Sequence, residues 1–254
     1  LWLKALLQGD LGLSYRTGQP VVTMIAQRVV PSLILTGTGV AAAILLGIPL
    51  GVMAAWKPKS GWGKLAGGLT LLSFSAPGFF LCVLAIFLFS VVLGWLPAAG
   101  MYSAGGGGSV GDLLLHLILP AGVVCLSSLG NLVRQTASAC GEVLGEDYIR
   151  TARAKGLPEW AVVWKHGFRT ALLPVVTTIL NHIPHIIGGS LIVERIFGWP
   201  GMGSLLFTSV SSRDYTVIMG LTVVIALTVL ATGILMDLVY RLADPGVGWG
   251  GEAR

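Results

Sequence analysis

Five long apolar runs decide what this chain can become. Ser32–Trp56 and Leu69–Leu96 carry no charged residue. Leu113–Val133 carries only His116, Ala171–Val193 only His182 and His185, and Thr216–Tyr240 only Asp237 near its end. Each run is longer than the roughly 20 residues a helix needs to cross a ~30 Å hydrocarbon core. Water is absent there, so a spanning backbone must satisfy its own hydrogen bonds. Runs this long and this uniformly apolar do so as helices, not as barrel strands. The expected fold class is therefore all-α, a polytopic membrane helix bundle with five visible spans. Composition agrees: charged residues make up 11% of the 254 residues, against about 25% in an ordinary soluble domain.

The net charge of +5 suggests a nucleic-acid partner until its distribution is read. Lys57, Lys59, Lys64, Arg134, Arg150, Arg153, Lys155, Lys165, Arg169, Arg241 and Arg254 fall in the 57–68, 134–170 and C-terminal segments. Only Lys4, Arg16, Arg28, Arg195 and Arg213 fall on the other side. Cytoplasmic loops collect Lys and Arg, so 57–68 and 134–170 are expected inside, and 97–112 and 194–215 outside. The basic balance orients the chain in lipid, and no nucleic acid is expected. Cys82, Cys125 and Cys140 have neither metal-site spacing nor a disulfide pattern.

The chain starts at Leu1, and residues 1–31, broken by Asp10, Arg16 and Arg28, hold no complete span. The expectation is an external, truncated N-terminal segment over 1–31 and a membrane domain over 32–254. Ala104–Ser109 is a glycine tract with the character of a flexible spacer. Gly and Pro punctuate the spans, as at Gly47, Pro49, Pro77, Pro120, Pro174 and Pro184. Such residues suit helices that pack closely, whether or not they move.

Residues 146–170 are polar, basic and Ala-rich between apolar runs. Glu146 and Asp147 are acids for a first helical turn, where the helix dipole favours them. Gly156 fits the left-handed position that closes a helix. Pro158 then opens a second helix at its first position. Trp160, Val163, Trp164 and Phe168 follow at helical spacing as one apolar face. Small Ala152, Ala154 and Gly156 allow close approach by another surface, and Arg150, Arg153 and Lys155 offer charged contacts. A merely solvated loop stays open on these grounds.

The order of three motifs goes further. They are Asp147-Tyr148-Ile149-Arg150-Thr151-Ala152-Arg153-Ala154-Lys155-Gly156-Leu157 with Arg169–Pro174, Val193–Gly203 with Arg213-Asp214-Tyr215, and Gly9-Asp10-Leu11-Gly12. Together they resemble the ABC-importer permeases of the dipeptide, oligopeptide and nickel transport family, over essentially the whole chain. Arg150 and Thr151 stand where the general pattern has Glu and Ala, and Thr216 where this branch often has Pro.

The resemblance implies six spans, with the first missing here, and a cytoplasmic coupling loop at 134–170. It implies an inner-membrane subunit that forms a pathway for peptides, nickel or related small solutes. Tyr148, Arg150, Thr151, Ala152, Arg153, Ala154, Lys155 and Gly156 would form the ATPase-coupling helix. Partners would be cytoplasmic ATP-binding subunits, a second permease subunit, an external substrate-binding protein and membrane lipid. ATP would be used by the partner, with no cofactor on this chain. No Walker A loop is present, since Gly63-Lys64 is followed by Leu65, so the chain is not expected to be an enzyme.

His182 and His185 are candidate pathway residues, because ionisable groups within spans are functional candidates; neutral histidines hydrogen-bonded between helices are the alternative. Two histidines alone are an incomplete metal site, and no catalytic or metal site is expected. Glu194 and Arg195, at the start of an external loop, are candidate docking residues for the binding protein. The rivals are a non-transporting assembly or scaffold subunit and an intramembrane enzyme. The latter finds no His-Glu-x-x-His, no intramembrane partner for Asp237, and no base for Ser73, Ser75 or Ser90.

Overall fold

A computed structural model describes residues 8–103 and 108–243. Lys4, Arg254 and most of the glycine tract lie outside the described residues. Among the described residues the only β feature is an isolated antiparallel bridge between Leu13 and Pro20; the rest of the regular structure is helical.

The long helices outgrow the apolar runs that nucleate them. Helix α1 spans Val21–Trp56 and continues through Pro31 and Pro49. Residues 21–31, expected as part of an external, partly ordered segment without a complete span, are thus its first turns. Four helices are long and apolar enough to cross a membrane, or five if the broken pair that follows is one span. That pair is α2, Gly61–Ser75, and α3, Gly78–Ala85, which runs on as a π-helical stretch over Ile86–Val92. Pro77, extended at φ −59° and ψ 135°, separates them. The expected inside loop at 57–68 therefore shrinks to four residues ahead of Gly61.

Helix α4, Val110–Leu144, carries Pro120 internally and reaches well into the segment expected as loop. Helix α5 is Asp147–Ala154. Then α6, Glu159–Ala161, passes through a π stretch at Val162–Phe168 into α7, Arg169–Leu180. Helices α8, Ile183–Gly188, and α9, Leu191–Ile196, continue the fourth apolar run, which is broken at 181–182 and 189–190. Helix α10 is Met202–Ser211 and α11 is Tyr215–Ala243.

Two compact units share these helices. One comprises residues up to Ala43, Phe74–Ser128 and Pro184–Thr228. Its core joins Leu11, Val21, Ile25, Met202, Leu205, Val217 and Leu221. The other comprises Ile44–Ser73, Leu129–Ile183 and the chain from Val229. There, Ala66, Leu129 and Val133 pack with Leu50 and Leu69. Val52, Ala139, Cys140, Val163 and Ala171 form a second cluster. Leu45, Leu71, Val91, Leu230 and Ile234 all stay more than 60% exposed. In a chain of this kind, such a surface is the one hydrocarbon or another membrane helix covers.

Candidate functional site: a polar helix and a buried carboxylate

The second unit carries α5, a short polar helix. Glu146 precedes it in extended conformation and Asp147 opens it. Its end is a Schellman arrangement. Gly156 N–H bonds the Arg153 carbonyl at 2.9 Å, and Leu157 N–H bonds the Ala152 carbonyl at 3.4 Å. Gly156 makes this possible at φ +77°, a left-handed backbone that costs a residue with a Cβ about 1 kcal/mol or more.

One face of α5 is anchored. Ile149 and Ala152 are buried with Val162, against Leu144. The opposite face is open: Arg150, Thr151, Arg153, Ala154, Lys155 and Gly156 are all exposed. Arg153 Nε reaches Glu159 Oε1 at 2.9 Å across the turn, and Tyr148 donates to Thr170 Oγ1 at 3.1 Å. Such exposed contacts each contribute little to stability; they orient the helix on the segment that follows it.

The structure departs from the expected apolar face of that next segment. Val163 is buried, but Trp160 is 64% exposed and Trp164 packs edge-on to Phe168 at 5.6 Å. The π winding of 162–168 changes the angular spacing that the sequence pattern assumes. Pro158 caps this helix from outside at ψ 140° and does not occupy its first position.

The first unit holds a different arrangement. Glu194 is fully buried. Its Oε1 accepts from Ser32 Oγ at 2.6 Å and its Oε2 from the Ser204 N–H at 2.9 Å. Backbone N–H groups of Gly203 and Ser190 also reach the carboxylate. Ser32 Oγ in turn accepts from the Met202 N–H at 2.7 Å. Beside it, Trp199, also fully buried, donates its indole N–H to the Pro31 carbonyl at 2.8 Å. Gly201 leaves room for the carboxylate; a Cβ there would collide with Glu194 and Ser32.

Asp214 repeats this logic nearby in the chain. It accepts from Ser14 Oγ at 2.5 Å and from the Tyr15 N–H at 3.2 Å. The Arg213-Asp214-Tyr215 motif is thereby tied to the turn that follows Gly9–Gly12. Burial alone would raise the Asp214 carboxyl. The hydrogen bonds from Ser14 and from the backbone of Tyr15, Arg16 and Val217 outweigh it and hold the group below its ordinary value.

Residues 47–249 match the model of a family described as the binding-protein-dependent transport system inner membrane component. A putative peptide permease protein of Brucella suis is 42% identical over 247 residues, covering 97% of this chain and 77% of that protein. The oligopeptide transport system permease protein AppB of Bacillus subtilis is 42% identical over 250 residues, covering 97% and 78%. The glutathione transport system permease protein GsiC of Pectobacterium atrosepticum is 39% identical over 248 residues, covering 97% and 77%.

The chain belongs to this family of inner-membrane transport components. Among solved structures, an inward-facing MetNI methionine ABC transporter superposes with a TM-score of 0.63 at 18% identity, covering 86% of this chain and 97% of that one. That likeness shows a common fold. The family membership makes the protein a multi-pass membrane permease subunit; helix α5 and Glu194 lie within the matched region, whereas Ser32, the partner of Glu194, precedes it.

For this permease, two sequence expectations change. Glu194, expected as a docking residue, is sealed inside its own unit and cannot meet a partner; Arg195 next to it is exposed. Ala152, expected to let another surface approach, is turned inward and anchors α5. His182 sits at the helix break, with its Nδ1 2.8 Å from the Thr178 carbonyl. His185 is exposed and falls in the other unit. Among the described residues no group of three or more His, Cys, Asp or Glu side chains is placed to hold a metal ion. Sequence reasoning missed Ser32 and Trp199 as partners in one network. Nothing in the order of residues links position 32 to position 194.

Two outcomes follow for the permease. Glu194→Ala strands the Ser32 hydroxyl and the Ser204 N–H, each costing about 1–3 kcal/mol when buried and unpaired. Thermal unfolding in detergent should show a fall of several degrees or loss of folded protein, with Arg195→Ala near wild type. Asp214, with a lowered folded pKa, contributes stability above its unfolded pKa of about 3.9 and loses it as pH falls through the folded value. Amide exchange at Tyr15 should therefore stay slow from neutral pH down to about 4, after allowing for intrinsic exchange, and speed up below it. Protection independent of pH down to 3 would rule out this latch.

Proposed function

We propose that this permease forms the translocation pathway of an ATP-driven peptide importer and receives its drive mechanically through α5. The observation that carries the reading is the form of that helix. Eight residues, Asp147–Ala154, are held by an apolar inner face, closed by a Gly156 turn and open along Arg150, Thr151, Arg153, Ala154 and Lys155. A short helix anchored on one side transmits force, whereas a free loop absorbs it. Tyr148 positions the helix through Thr170.

The energy source is a separate cytoplasmic ATP-binding subunit, because the chain has no phosphate-cradling loop of its own. No cofactor is assigned to this chain, and ATP is consumed by that partner. A second permease subunit completes the pathway and an external substrate-binding protein delivers the cargo. Closure of the ATP-binding subunits would push α5 and rock the helices it is anchored to, opening the pathway to one side at a time. The names of the relatives favour peptides as the cargo class: two are peptide or oligopeptide permeases and one is a glutathione permease. His182 and His185, on the broken fourth run, are the proposed pathway residues, and nickel is the alternative cargo they would suit.

Proteoliposomes with the assembled transporter test this reading, using a panel of di- and oligopeptides and Ni²⁺. Peptide uptake and peptide-stimulated ATP hydrolysis are expected. Gly156→Arg should lower uptake at least tenfold while the complex still inserts and extracts normally. Uptake at the wild-type rate in that variant would remove α5 from the mechanism.

A further inference from the structure

The first unit buries Glu194 and Asp214 and leaves Arg16 and Arg195 exposed. Glu194 and Asp214 are both buried and spent on hydroxyls and backbone N–H groups. Arg16, which immediately follows the Asp214-bound Tyr15, and Arg195, which follows Glu194, are both exposed. Neither forms an ion pair among the described residues. They line one open pocket of about 400 Å³ with Phe207, Thr208, Ser211 and Ser212. The Arg195 guanidinium lies over the Phe207 ring, 4.9 Å from its centroid, a stacking that fixes the plane of the fork. The three hydroxyls already donate to helical carbonyls at 2.9 Å, so the pocket's free donors are the two guanidiniums.

Two uncompensated guanidiniums in one concave site, one of them held in orientation by a ring, are complementary to a planar carboxylate. The charge distribution assigns 194–215 to the outer side, where the binding protein of the proposed importer arrives. Resting on that proposed function, we infer that the Arg16–Arg195 pocket is a docking socket for an acidic side chain of the external substrate-binding protein. Charge complementarity selects this occupant. The buried Glu194 carries the socket by fixing the backbone on which Arg195 stands. A socket of this kind sets encounter and affinity and leaves the transport step itself unchanged.

The test titrates peptide-loaded binding protein against the reconstituted transporter and follows ATP hydrolysis. In the wild type, raising salt from about 50 to 300 mM should increase the half-saturating concentration several-fold, because exposed charge pairing is screened. The Arg16→Gln, Arg195→Gln double variant should raise it at least tenfold, flatten its salt dependence and leave the saturated rate within twofold. The Arg16→Lys, Arg195→Lys variant, which keeps both charges but not the planar fork, should keep the salt dependence, recover part of the affinity and guard against a folding defect. Half-saturation insensitive to salt in the wild type, or identical in the Gln variant, overturns the socket. Absence of any stimulation by binding protein and peptide in the wild type would instead overturn the importer reading on which it rests.

Discussion

A hydrocarbon core offers no hydrogen-bond partner, and that constraint organises this permease. The apolar runs satisfy their own backbone as helices, through Pro31, Pro49 and Pro120 where necessary. Where the chain leaves helical geometry near Ser14, Glu194 and Asp214, side chains bond the backbone groups set free. The stretch from 189 to 204 is the clearest case. Its freed N–H groups at Ser190, Gly203 and Ser204 converge on the Glu194 carboxylate, while Ser32 bridges that carboxylate to the Met202 N–H. Trp199 adds its indole to the carbonyl of Pro31. A carboxyl group that is expensive to bury becomes the means by which an irregular segment is held.

The same reasoning separates the two kinds of polar segment in the molecule. The 193–215 segment is polar in composition but spends its polarity internally, on Glu194, Asp214 and their donors. The 147–156 segment spends apolar residues internally, on Ile149 and Ala152, and leaves its polar atoms outside. The first arrangement gives rigidity around a carboxylate. The second leaves a polar surface open on an anchored helix.

The spans and helix α5 were legible because their signals are local. Apolar length needs only a window of residues, and the Gly156 stop is written in one residue between two helical patterns. Helix ends were less legible: α1 and α4 extend into segments that charge and polarity mark as loop, since Arg28 and Arg134 do not break a helix that already has a nucleus. The orientation of Trp160 was lost to the π winding at 162–168, which no periodicity of 3.6 describes. The Glu194 network was illegible because it closes a separation of 162 residues with Ser32. Read in sequence, Glu194 was an exposed charge in a loop; in the fold, only its neighbour Arg195 keeps that character.

The central claim is that α5 is where the permease meets its ATP-binding partner. A single cysteine in place of Ala154 tests it most directly, since Cys82, Cys125 and Cys140 are all buried and contribute little background. In the assembled transporter, a short thiol-reactive cross-linker should join position 154 to the ATP-binding subunit, with a yield that changes between ATP-bound and nucleotide-free states. A complex that hydrolyses ATP yet gives no cross-link from position 154 in either state would contradict the account.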